Sequence, residues 1–215
     1  GLVTFTDAGG QVQNTLLSNS YFNGIRCEGA SAPICTTSVE VKNCNSDPIA
    51  MSLKANPTLS FSGIKMKSNG NGSNGIRIIE GTLSSDATLI KRDVGGIYNI
   101  AYIIDQLTIS PDATLTISPG VVIKFLNYYS NITVNGALVA RGLPANKIVF
   151  TSLSDDSKGG DTNDNGNTTN PARGNWFCLV FNASAKDNSN ILKNCILNYG
   201  GSAYYNYGYK SDGIV

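Results

Sequence analysis

Apolar residues recur at spacing two in short runs along this chain, and the runs repeat. Leu107, Ile109, Ile123 and Phe125 are echoed 25 positions later by Ile132, Val134, Ile148 and Phe150. Between them, Leu115-Thr116-Ile117 matches Leu138-Val139-Ala140 at an offset of 23. Two residues are thus expected to be lost where Ser110-Pro111-Asp112-Ala113 shortens to Asn135-Gly136. They are expected back where Ser118-Pro119-Gly120 lengthens to Arg141 through Asn146. Spacing of two predicts β-strands that bury one face. A unit of this size cannot cover that face by itself, so neighbouring units must stack on it, which makes a parallel β-helix.

The first third follows the same rule less regularly. Ile25, Ile49 and Ile76 open similar segments at intervals of 24 and 27, with Cys27, Met51 and Ile78 in one register. Arg26 and Arg77 then share an outward column, and Val39/Val41 and Leu59/Phe61 are expected at comparable positions. The longer interval holds the polar insertion Ser68 to Asn74. The expected architecture is all-β: a solenoid of roughly 23 to 27 residues per coil with three short strands per coil, as one domain over 1–215. A long loop is expected at 153–173 and a sub-boundary near 82–100. No polar cap is read at either end, so the chain is expected to be a fragment of a longer protein.

Composition narrows the partners. The 215 residues carry a formal net charge of +1 with 14% charged residues, which leaves no electrostatic footprint for nucleic acid. No apolar run approaches the roughly 20 residues of a membrane span, so direct membrane insertion is not expected. There is no histidine, which removes Ser-His-Asp and Cys-His chemistry and the common zinc sites. Cys27, Cys35, Cys44, Cys178 and Cys195 form no C-x-x-C pair. Cys27 is expected as a small buried apolar residue, with a Cys27 to Cys35 bridge as the alternative.

The segments Ala113 to Phe125, Ile132 to Leu138 and Ile148 to Ser152, with Gly160 to Gly166 and Gly174-Asn175-Trp176, carry a resemblance. They look like the recurrent block of bacterial secreted and cell-surface right-handed parallel β-helix repeat proteins, in the pectin-lyase-like superfamily. That resemblance implies an extracellular or cell-surface location. The superfamily holds lyases, hydrolases, tailspikes and adhesins, so activity must come from a site.

No catalytic set is assigned. Inverting hydrolysis needs an acid and a base roughly 6.5 to 9.5 Å apart, yet Asp105 and Glu40 stand isolated, and Asp155-Asp156 lies in a loop. A lyase of the pectate type would use Arg26, Arg77 or Lys124, but companion carboxylates are missing, so these read as solubilising residues on an outer sheet face. Asp161-Thr162-Asn163-Asp164-Asn165-Gly166 matches the opening of a calcium loop. Asp161, Asn163 and Asn165, with Asp155 and Asp156, are the candidate ligands of a structural Ca²⁺. Tyr204, Tyr205 and Tyr207 form a candidate carbohydrate platform. Lys42-Asn43-Cys44 and Lys193-Asn194-Cys195 place Asn in turns that favour left-handed backbone.

The leading expectation is a non-enzymatic stalk, adhesin or structural repeat. The alternatives are a polysaccharide-degrading or polysaccharide-binding β-helix whose active coils lie elsewhere, and a subunit that self-associates through coil ends. The expected partners are therefore a polysaccharide, a surface glycan, or another copy.

Overall fold

The computed structural model describes residues 1–66, 72–166 and 168–203. The chain is a parallel β-solenoid of about 6 turns, with about 25 residues and several short strands per turn. Apart from a single 3-10 turn at Asp187–Ser189, regular structure among the described residues is strand. The coils fall into two compact units: Gly1–Glu80 with Lys91–Ile103 and Asp156–Thr168, and Gly81–Ile90 with Ile104–Asp155 and Thr169 onward.

In the first unit the strands Val3–Thr6, Ile25–Glu28, Ile49–Met51, Ile76–Ile78 and Tyr102–Ile104 run parallel as neighbours. The predicted register is present, since Ile25 faces Ile49 and Ile49 faces Ile76, with Cys27, Met51 and Ile78 in the next inward row. Ile25, Ile49, Ile76 and Cys27 are fully buried. Each is covered by the residue one coil away, which is why a lone coil would not hold.

One expected alignment is shifted. Leu59 pairs with Cys35, whereas Val41 pairs with Ile64 of the strand Gly63–Met66. Placing Val39 and Val41 against Leu59 and Phe61 would need an offset of 20, shorter than the coil. The corners behave as their residues suggest. Asn19 and Asn43, one coil apart, are both left-handed, with φ of 59° and 54°. Asn194, the counterpart of Asn43, has φ of 50°, and its Nδ2 donates to Gly142 O at 3.0 Å.

In the second unit the strand Gln106–Ile109 pairs with Asn131–Val134 at the predicted offset of 25, setting Leu107 on Ile132 and Ile109 on Val134. Thr114–Ile117 pairs with Ala137–Arg141 at 23, setting Leu115 on Leu138. The third strand departs from expectation. Ile123 faces Phe150 and Phe125 faces Ser152, an offset of 27. The second corner therefore adds four residues (27 − 23) rather than two. They fold as a tight hairpin in which Leu143 and Asn146 exchange backbone hydrogen bonds at 3.1 and 3.0 Å. Phase alone could not reveal this, because Ile148 to Ser152 are buried throughout.

Continuous burial of this kind recurs along the broad sheet. Ile49–Met51, Tyr102–Ile104, Val122–Phe125 and Ile148–Ser152 are buried at every position, inward and outward alike. Strands buried on both faces read as apolar runs, not alternations.

Candidate functional site

The outward column of the first unit's broad sheet runs Thr4, Arg26, Ala50, Arg77, Ile103. Sequence reasoning placed Arg26 and Arg77 on one column, and they stand on either side of Ala50. Neither guanidinium faces an open groove. Arg26 Nε binds Glu28 at 2.6 Å, and Arg77 Nε binds Asp47 at 3.1 Å with only 16% of its side chain exposed. Ala50 and Ile103 are buried.

Asp47 is the centre of a small polar cluster. Its Oδ1 accepts the backbone N–H of Ser73 at 3.0 Å and the Ser73 hydroxyl, and its Oδ2 accepts Arg77 Nε and Ser46 Oγ. Asp47 and Ser73 are both buried. Buried polar atoms satisfied in this way tie a coil to the next without leaving a reactive group exposed.

Lys124 was expected on an outer, solubilising face, and the structure corrects this: its side chain is fully buried. It pairs in register with Thr151, also fully buried, whose hydroxyl donates to Asp155 Oδ2 at 2.7 Å. An outward position is solvated only when nothing lies over it, and a strand's own sequence does not record what covers it.

The candidate metal ligands divide between the two units. Asp155, in the second, is buried and engaged with Thr151. In the first, Asp161 folds the loop around itself, with Oδ1 accepting Asn165 N–H at 3.2 Å and Oδ2 accepting Gly166 N–H at 2.8 Å. Gly166 has φ of 62°, the left-handed bend expected of a glycine there. The Oδ1 atoms of Asp156, Asn163 and Asn165 are buried. Asp164 turns the other way and pairs with Lys65 at 2.7 Å. Asp161 and the neighbouring Asn163 and Asn165 thus sit within one tight turn, the donor type a hard cation takes. Among the described residues no three His, Cys, Asp or Glu side chains converge.

Tyr204, Tyr205 and Tyr207 lie outside the described residues. Tyr128 and Tyr129 meet edge to face at 5.3 Å, with Tyr128 exposed. The aromatic position that sequence reasoning missed is Tyr98. It borders a shallow depression of about 340 Å³ with Thr37, Ser60, Phe61, Asp93 and the Val94 to Ile97 turn. The signal was there to be read: Gly95-Gly96 between Val94 and Ile97 is a tight-hairpin sequence.

The cysteines are free thiols. Cys27 is buried as expected, and burial, with Cys35 beside it, pushes its pKa up to about 12. Burial likewise raises Cys35 to about 11. Such thiols are protonated and inert at neutral pH. Among the described residues no helix is long and apolar enough to cross a membrane.

No family model, curated protein or solved structure matches this chain.

Proposed function

We propose that this chain is a non-enzymatic β-helix segment of an extracellular or cell-surface protein, serving as a rigid stalk or adhesive surface. The observation that carries this reading is the covered outer face of the broad sheet at the strands Ile49–Met51, Tyr102–Ile104, Val122–Phe125 and Ile148–Ser152. Ala50, Ile103, Val122, Lys124, Val149 and Thr151 all point outward and are all buried. A polysaccharide enzyme working from strand side chains needs that face open, with carboxylates and cations across a gap. Here Arg77 is tied to Asp47 and Arg26 to Glu28. The resemblance to bacterial pectin-lyase-like repeat proteins supports the location, and the Asp161 turn supports Ca²⁺ as a stiffener of the 153–173 excursion.

The test is incubation with polygalacturonate, alginate and chondroitin while absorbance of unsaturated ends is followed. No turnover is expected. Turnover that disappears in Arg77→Ala would overturn the reading in favour of a polysaccharide lyase.

A second reading, self-association through coil edges, draws on one observation. Phe181, Leu192 and Leu197 continue the inward columns of Val134, Ala140 and Phe150, yet they are 43%, 43% and 47% exposed. A further coil, whether of this chain or of another copy, would bury that apolar edge. Light scattering over a concentration series tests it, and a constant monomer mass would dismiss it.

A further inference from the structure

The excursion from Lys91 to Ala101 leaves the coil and returns as a small rigid hairpin. Val94 and Ile97 exchange backbone hydrogen bonds at 3.1 and 2.9 Å around Gly95-Gly96, whose φ values are 60° and 81°. Those angles are the ones a two-residue hairpin turn demands, and glycine meets them without strain. Gly95 lies so close to the strand Gly63–Met66 that a Cβ would stand 2.7 Å from Ile64 N. Arg92 pins the base of the hairpin, donating to Tyr102 Oη at 3.0 Å, Pro57 O at 2.7 Å and Asn56 Oδ1 at 2.7 Å. Asp93 Oδ1 accepts Asn99 N–H at 2.7 Å and closes the far side.

This scaffold holds an aromatic ring out in solvent. Tyr98 is 71% exposed. Lys91 steadies it, with Nζ 4.0 Å from the ring centroid and donating to its hydroxyl. Beside the ring, the depression has an apolar floor of buried Phe61 and Val94. Its rim carries the exposed hydroxyls of Thr37 and Ser60 and the exposed carboxylate of Asp93.

We propose that the Tyr98 depression binds an uncharged sugar, taking about one or two rings of a glycan chain. The chemistry selects that class. An aromatic face beside an apolar floor suits the C–H face of a pyranose, and the rim offers hydroxyl and carboxylate partners for its OH groups. The charged residue of the lining is Asp93, so an anionic sugar gains nothing there. The site is open, which suits a chain passing through it. Its parts are already in place, so little ordering cost opposes binding. The inference rests on the adhesive form of the proposed function and gives that surface a ligand.

Titration of the ¹⁵N-labelled protein with lactose, cellobiose and mannobiose tests it, following the amides of Gly95, Gly96 and Tyr98. At least one sugar is expected to shift these amides, with affinity falling about tenfold or more in Tyr98→Ala and persisting in Tyr98→Phe, which keeps the ring. Digalacturonic acid is expected to bind no better than the neutral sugars. No shift with any of the three, shifts unchanged in Tyr98→Ala, or a clear preference for the acidic disaccharide would each overturn the proposal. Tyr98 is exposed, so its variants are expected to retain the wild-type melting curve. Failure here would remove the sugar site, whereas failure of the stalk reading would show separately as turnover on acidic polysaccharide.

Discussion

Arg77 Nε donates to Asp47 Oδ2 at 3.1 Å, joining one coil to the next. The carboxylate also takes the amide and hydroxyl of Ser73, so one buried side chain closes both a corner and a column. Asp47→Ala leaves Ser73 and the largely covered guanidinium without their acceptor. The expected loss is about 2–3 kcal/mol by urea denaturation, less than for a fully buried pair because Arg77 retains some water. Ser73→Ala, which removes one neutral partner, is expected to cost about 1 kcal/mol.

Trp176 is the sole tryptophan, 3% exposed, stacked on Phe125 with ring centroids 4.2 Å apart. Its Nε1 donates to Asn198 O at 2.7 Å, so both the apolar body and the polar tip are satisfied. Trp176→Phe keeps the stack but loses that bond, and Trp176→Ala opens a cavity worth about 3–5 kcal/mol. Native fluorescence should be blue-shifted and resistant to acrylamide, and unfolding should reverse both.

If the Asp161 turn holds Ca²⁺, the ion binds the folded chain alone and adds stability by mass action. Added Ca²⁺ is expected to raise the melting temperature and EDTA to lower it, with both effects absent in Asp161→Ala. An identical melt in all conditions would remove the metal from the proposal.

Thiol reactivity should sort by depth. Cys27, Cys35 and Cys44 are buried, whereas Cys178 and Cys195 are half-buried. Iodoacetamide followed by mass spectrometry should label Cys178 and Cys195 first, and the other three only on unfolding.

The same burial makes stability depend on alkaline pH. Cys27 and Cys35 have an ordinary pKa of 9.0, raised in the fold to about 12 and about 11. A raised thiol pKa means that the folded chain holds the proton more tightly. Their contribution is therefore full below pH 9.0 and is lost as pH climbs through the folded values. Denaturant midpoints should be flat from neutral pH to about 9 and fall beyond it, more gently in Cys27→Ala.

Much of the stack was legible in the residues. The rows Ile25, Ile49, Ile76 and Leu107, Ile132 follow from intervals and alternation, because each inward side chain needs an equivalent one above it. Asn43 and Asn194 announced their left-handed corners because that conformation favours few other side chains. Of the candidate metal residues, Asp161, Asn163 and Asn165 were placed in one turn by local sequence alone. The Tyr98 depression was not seen, since its floor at Phe61 and its rim at Thr37 come from other parts of the chain.

The sequence by itself determined that this protein is a parallel stack of short strands, since a period of two recurring at about 25 residues has no other way to bury its apolar rows. Only the tertiary structure decided the frame of the third strand, where Ile123 meets Phe150. It also decided that Lys124, the expected surface lysine, is enclosed. Alternation identifies a strand's two faces by their difference, and a strand covered on both sides has no such difference to read.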